Sequence, residues 1–393
     1  MAESKLEKSH YMCGKMIEPL TLEGNESVAD FINNVFGDSG FNARKLAEAC
    51  RTYSTLLNDE ANPTVALTLA GAMTPIGMNG PINTLIELGF VDFLVCTGAN
   101  LYHDLHRAYN YPVRQGEIRV DDEELYKLGI SRIYDTYIND DETLLATDKC
   151  ILNTIERMIP EVPISTAVLH NELGKTVLKT AKNPEKSLLA TAAKFNVPIY
   201  TSSPGDSSIG MNMVLPRLFG FEIDIDPILD IIETTALVRE ANKNGVIIVG
   251  GGSPKNFYLQ TQPTLWQVLW DNEKGGHDYF IQLTTDSPQW GGLSGATPQE
   301  AKSWGKVKDA VKNNVVVYSC ASLTFPLLAQ YVKMTNKPRE RKELYLKRDE
   351  YVDRLKKMVF KNNVLIKEIK KSTTKDRYEK IYKKHLGEQE PQQ

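Results

Sequence analysis

Cysteine is scarce in this chain and is never arranged as a motif. Cys13, Cys50, Cys96, Cys150 and Cys320 are dispersed over 393 positions with no C-x-x-C pair. That pattern argues against a disulfide framework and a zinc site, and it fits reduced thiols in a cytoplasmic protein. Long apolar runs are missing as well: none approaches the roughly 18 residues of a membrane span, so no membrane partner is expected. The opening "MAESKLEKSHYMCGKM" has no apolar stretch of the kind a secretory signal needs, and no such signal is expected. Neither sign of charge dominates. A net charge of −4 gives no reason to expect nucleic acid as a main partner. Internal repeats are absent. What is left is an ordinary globular composition, 41% hydrophobic and 24% charged, long enough for one large α/β domain with additions.

What is present is a repeated change of period. Residues 1–25 are polar and read as a loose lead-in, and 27–59 read as two amphipathic helices with a glycine break. Then come short apolar runs closed by glycine or small polar residues: "TVALTLAG" (64–71), "VDFLVCTGAN" (91–100), "VPIYTSS" (197–203), "GVIIVGGG" (245–252), "DYFIQLTT" (278–285) and "NVVVYSC" (314–320). Helical patterns alternate with them, for example "MNGPINTLIELGF", "LYHDLHRAY" and "DPILDIIETTALVREANK". Continuous apolar strands separated by helices predict a parallel sheet covered on both faces. The stretch 109–145, aromatic and charged, reads as an irregular excursion that covers the site. From Lys337 onward basic residues accumulate with apolar ones at helical spacing. The simpler account is a solvated helix packing one face on the body and fraying at "GEQEPQQ"; the other is a basic arm for an acidic partner. Three parts follow: a helical lead-in (1–60), a central α/β body (61–335) and a basic helical tail (336–393).

The chemistry gathers at the strand ends. Three glycines, Gly250 to Gly252, follow a buried strand and let backbone approach a ligand, although they form neither G-x-G-x-x-G nor a P-loop. Thr97, Gly98 and Ala99 follow another strand. Ser202, Ser203 and Asp206 follow a third. Thr284, Thr285, Gly291, Gly292 and Ser294 follow a fourth. In register, these loops make a polar crevice wide enough for a dinucleotide, where a carboxylate such as Asp206 accepts ribose hydroxyls. His103 and His106 sit at i, i+3 in "HDLH", but no third ligand motif accompanies them and no metal is expected. In "AKSWGKV", Trp304 and Lys306 flank Gly305, and Glu300 is four residues before Trp304. One reading is a partly desolvated nucleophilic lysine, with Trp304 as apolar wall and cation-stacking surface and Glu300 as its acidic partner. The other is a surface lysine beside a tryptophan at a packing boundary.

Taken together, "GGLSGATPQEAKSWGKV", "YSCASLTFPLL", the "IVGGG" turn and the "TGAN" turn before "HDL" resemble the deoxyhypusine synthase family over about residues 62–331. The resemblance implies a Rossmann-like α/β fold and an NAD-dependent aminobutyl transfer. It also implies a homotetramer with active sites at subunit interfaces. The matching nucleophile is Lys306, with Trp304 and Glu300 beside it. The NAD contacts fall on Thr97, Gly98, Asp206, Gly251, Gly252, Thr285, Gly291 and Ser294. The amine pocket departs from the family pattern. Asn256 replaces a histidine; Leu293 and Met211, the latter beside Asn212, replace aspartates; His103 replaces a glutamate; and Cys320 replaces an aspartate. A polyamine needs carboxylate partners, so these losses imply a changed amine. The chain is similar to the prokaryotic deoxyhypusine synthase-like branch, in which some members resemble homospermidine synthases. His103, Asn212 and Asn256 are then the candidate substrate contacts. The expectation is homospermidine synthesis from putrescine and/or spermidine. The alternatives are a deoxyhypusine synthase acting on a lysine of a translation-factor precursor, and a non-catalytic NAD-binding scaffold.

Overall fold

The computed structural model describes residues 12–158, 162–221 and 223–371, with 374, 376 and 378. Its centre is a six-stranded parallel sheet made of β1 (Thr64–Leu69), β2 (Phe93–Cys96), β6 (Ile199–Thr201), β7 (Asn244–Val249), β8 (Tyr279–Thr284) and β9 (Asn314–Tyr318). Each of the six apolar runs of the sequence holds one strand. The spatial order is β6-β2-β1-β7-β8-β9. The chain therefore winds outward from β1 to one edge, returns, and winds outward from β7 to the other. That is the doubly wound α/β order, with its switch point between β1 and β7.

Every residue of β1, β7 and β8 is buried, which explains why these segments read as continuous rather than alternating apolar runs. Alternate side chains still serve opposite faces. Val65, Leu67, Leu69, Ile247 and Ile281 enter one core, while Ala66, Val246, Ile248 and Phe280 enter the other. The helix Phe41–Leu57 gives Leu46, Cys50, Tyr53 and Leu56 to the first core. The helix Leu344–Lys361 gives Leu344 and Leu355 to the second, and its buried Arg348 reaches Glu233 on the helix Pro227–Glu240 at 3.3 Å. One face of the basic segment is thus packed on the body. The fraying expected at "GEQEPQQ" lies outside the described residues.

The stretch 109–145 is not irregular. It forms β3 (Val113–Gln115), β4 (Ile130–Ile133) and β5 (Thr136–Asn139), an antiparallel sheet in the order β3-β5-β4, and a short helix Asp122–Lys127 capped by Asp121. The hairpin β4–β5 turns on Tyr134-Asp135, with Tyr134 at φ 56°. Such a turn ordinarily announces itself with glycine or asparagine, and here neither is present.

Candidate active site

The candidate crevice lies beyond the carboxyl ends of the parallel strands. At β7 the turn uses Gly250 (φ 78°) and Gly252 (φ 58°), a conformation that side chains rarely adopt. Gly251 is required for a different reason. A Cβ there would lie 2.6 Å from Ser294 Cα. The Gly252 N–H donates to Ser294 Oγ at 2.8 Å. Three of the expected cofactor contacts, Gly251, Gly252 and Ser294, are therefore in one cluster. Gly98 and Thr97 lie at the end of β2, where Thr97 starts the helix Gly98–Ala108. A Cβ on Gly98 would fall 2.3 Å from Ser207 Cβ, so the β2 turn touches the loop that carries Asp206. Asp206, Thr285 and Gly291 are exposed in their loops.

These features fit a dinucleotide. The tight glycine cradle sits beside the switch point, and Thr201 Oγ1 and Ser202 Oγ at the end of β6 are buried without a hydrogen-bond partner among the described residues. Asp206 projects from the same loop as a carboxylate available to hydroxyl groups.

On the β7–β8 side is the amine. Thr297 caps the helix Pro298–Ser303, which carries Glu300 and ends at Trp304. Gly305 follows at φ 68° and reverses the chain; a side chain there would meet Trp266 Nε1 at 3.0 Å. Lys306 is thereby aimed back at the helix Gly252–Leu259, and its Nζ donates to Asn256 Oδ1 at 2.9 Å. The same Nζ lies 5.7 Å from the Trp304 ring centre. Burial pulls the Lys306 ammonium below its ordinary range, and the Glu300 carboxylate acts in the opposite direction. Trp304 and Lys306 are therefore brought together, and the Glu300 carboxylate acts on the amine by its charge. Trp304 is 58% exposed, however, and walls the amine on one side only.

The other candidate contacts have other partners. His103 Nδ1 and His106 Nε2 share a hydrogen bond at 2.9 Å, and His106 Nδ1 shares another with Thr147 Oγ1 at 2.8 Å. Burial, helped by Arg107, lowers His103 to about 4, and burial with His103 and Arg107 lowers His106 to about 3, so both rings are neutral. Asn212 donates to Asp148 Oδ1 at 2.7 Å and to Ser208 O at 2.8 Å. Of the three candidate substrate contacts, Asn256 alone has a hydrogen bond to Lys306. Leu293 and Met211, which stand where carboxylates were expected, are both exposed apolar surface. Cys320 stands just before the helix Ala321–Thr335, and its exposed thiol is lowered chiefly by its hydrogen bond with Ser322.

Sequence reasoning missed Lys255. It follows the glycine turn on the helix Gly252–Leu259 and is fully buried, with burial pushing it down to about 8. The available signal was the residue type itself: a lysine three positions after a glycine triplet that closes a buried strand.

Comparison with known proteins gives the family and the fold. Residues 32–332 match the family model described as deoxyhypusine synthase. The deoxyhypusine synthase-like protein of Nostoc punctiforme is 41% identical over 353 residues, covering 88% of this chain and 89% of that one. The probable deoxyhypusine synthase 2 of Methanosarcina acetivorans is 38% identical over 305 residues, covering 78% and 86%. A crystal structure from Entamoeba histolytica, described as a "putative deoxyhypusine synthase", superposes with a TM-score of 0.54 at 17% identity over 82% of this chain and 99% of that one, a likeness of fold. By sequence, over most of its length, the chain belongs to the deoxyhypusine synthase family.

Proposed function

We propose that this protein catalyses NAD-dependent transfer of an aminobutyl group through Lys306, with a small amine as the acceptor and homospermidine as the product. The observation that carries the reading is the Lys306 amine, half-buried between Trp304 and Asn256, the latter on the helix that leaves the glycine turn. Bound NAD would supply the hydride acceptor for oxidation of the donor amine and return the hydride to the final imine. Gly98, Gly251, Gly252 and Ser294 would hold it, and Asp206 would take its hydroxyl groups.

The remaining chemistry belongs to the chain. Neutral Lys306 attacks the donor's imine carbon, and the nitrogen that carbon already carried leaves as a free amine, or as ammonia when the donor is putrescine, so that the aminobutyl group stays on Lys306 as an imine. The acceptor amine then attacks the Lys306 imine and releases the lysine. Asn256 Oδ1 orients the Lys306 amine through one of its N–H bonds. Trp304 offers its ring face to a cationic chain, and Glu300 offers a carboxylate to an ammonium. Exposed Leu293 and Met211 suit methylenes rather than a charged end, which favours a substrate with fewer cationic contacts than the family pattern provides. A homotetramer with sites at subunit interfaces belongs to this reading. The exposed run Val214, Leu215, Leu218 and Phe219 beside the Asp206 loop supports it.

A second reading, a protein lysine as acceptor, is favoured by the Methanosarcina relatives described as probable deoxyhypusine synthases. Mass-spectrometric product analysis separates the two. Purified protein with NAD is offered putrescine, then putrescine plus spermidine. A homospermidine peak that Lys306→Ala abolishes supports the first reading. No product from either mixture refutes it and directs the search to a protein acceptor.

A further inference from the structure

The loop that follows β1 lies at the switch point, and none of the expected cofactor contacts falls on it. On one side it touches the glycine turn of β7: a Cβ built on Gly250 would lie 3.2 Å from Ala70 O. On the other side it is held by Asn100, whose side chain is buried. Asn100 Oδ1 accepts from the N–H of Met73 at 3.1 Å and from that of Thr74 at 3.0 Å. Asn100 Nδ2 donates to Gly71 O at 2.7 Å and to Thr97 Oγ1 at 2.7 Å. Both donors and both acceptor positions of the amide are therefore used. The amide cannot be turned round, because the backbone N–H groups of Met73 and Thr74 can only donate. The Thr74 hydroxyl adds a bond to Asn100 O at 2.7 Å, and Arg107, two turns along the same helix, donates to Thr74 O and Pro75 O.

The bond to Thr97 departs from an ordinary helix start. A threonine at the N-cap usually accepts from a backbone N–H of the first turn. Thr97 stands at the N-cap of the helix Gly98–Ala108, yet its side chain makes no such bond. Asn100, three residues on, offers its side-chain N–H instead, while its backbone N–H goes to Thr97 O at 3.1 Å. The Thr97 N–H is used as well, by Leu69 O at 3.0 Å. Thr97 Oγ1 thus accepts from Asn100, and no acceptor for its own proton is found among the described residues. The hydroxyl, partly buried at the end of β2, keeps a proton to give.

We propose that Asn100 is a positioning residue for the dinucleotide: it ties the β1 loop to the β2 turn and, by filling one lone pair of Thr97 Oγ1, presents that hydroxyl to the dinucleotide as a donor. A hydroxyl so held suits a phosphate, carbonyl or sugar oxygen, or a ring nitrogen, and does not suit an amino group. Asn100 is 1% exposed, so it acts on the ligand through Thr97 and the loop. The inference rests on the reading of the crevice as an NAD site.

NADH titration of the intact protein, followed by fluorescence, tests this through a double-mutant cycle. Thr97→Val keeps the shape and removes the hydroxyl, so it should weaken NADH binding about tenfold, the worth of one hydrogen bond. Thr97→Ser keeps the hydroxyl and should stay within about twofold of wild type. Asn100→Asp keeps both acceptor positions for Met73 and Thr74 but puts an oxygen in place of the donor, so the Thr97 hydroxyl turns its proton inward to the carboxylate. In that background Thr97→Val should cost less than about twofold more. Equal losses in the two backgrounds overturn the proposal, and so does unchanged affinity in Thr97→Val. Should Asn100→Asp not fold, a crystal structure of the wild type with NADH decides. Thr97 Oγ1 should then lie within about 3.2 Å of a dinucleotide oxygen or ring nitrogen, with the Asn100 bond kept. An amino group at that place, or no dinucleotide atom, overturns the proposal. A wild type that binds no NADH refutes the cofactor reading together with this one, whereas binding with additive losses removes the role of Asn100 alone.

Discussion

Replacing Gly251 with alanine should damage the crevice by a calculable amount. The new methyl would stand 2.6 Å from Ser294 Cα, 2.7 Å from its Cβ and 2.8 Å from its Oγ. Carbon atoms in contact prefer about 3.5–4.0 Å, so the 294 turn would have to retreat by about 1 Å. It is not free to do so. Ser294 O is held by Lys255 and Gln282, and Gly295 is packed against Ser287 O, where a Cβ would lie at 2.5 Å. Overpacking of this kind costs about 1–3 kcal/mol. Loss of the bond from Gly252 N–H to Ser294 Oγ adds about 1 kcal/mol. Urea unfolding should therefore show Gly251→Ala destabilised by about 2–4 kcal/mol. NADH titration of the folded variant should show weaker binding. Gly80→Ala is the control, since Gly80 lies in the helix Asn79–Glu87 with nothing within 4 Å of its added Cβ. It should be neutral or slightly stabilising. A Gly251→Ala protein with unchanged stability and unchanged NADH affinity would refute the packing argument and the placement of the cofactor.

Two further predictions concern the support behind β6. Arg348→Met leaves buried Glu233 without its cation, though the Tyr200 hydroxyl still donates to it, which should cost about 3–5 kcal/mol in urea unfolding, and adding Glu233→Gln should recover part of it; a loss under about 1 kcal/mol would mean that the pair is solvated. Asp230 is pushed up to about 7, chiefly by burial and against two hydrogen bonds from Thr166. The native state keeps a proton that the unfolded chain, with its aspartate near 3.9, has released. Stability should therefore fall as pH rises from about 4 to about 7, and Asp230→Asn should remove that component. Parallel pH profiles for the two proteins would show that Asp230 does not titrate in this range.

Much of this architecture could be read from residue patterns because buried parallel strands write themselves as unbroken apolar runs. Glycine or small polar residues at the strand ends mark where the chain leaves the sheet, and both Gly251 and Gly98 proved to be positions where a methyl group has no room. The small sheet at 113–139 was not legible, since its strands are three or four residues long and its hairpin turns on Tyr134-Asp135. Side-chain partners were hidden for a related reason. Asn212 bonds to Asp148, 64 residues away, and Lys255 to carbonyls about 40 residues away. Spacing along the chain carries no trace of such contacts. The Lys306 segment was an exception because Glu300, Trp304, Gly305 and Lys306 are neighbours in sequence, and one capped helical turn with a left-handed glycine suffices to gather them.

The most direct test is to trap the lysine. The protein is incubated with NAD and spermidine, then with NAD and putrescine, and each mixture is reduced with borohydride and digested. The account predicts an added aminobutyl group on the peptide that contains Lys306, dependent on NAD and absent in Lys306→Ala. An adduct on another lysine, or none with either amine while NAD is bound, would contradict it.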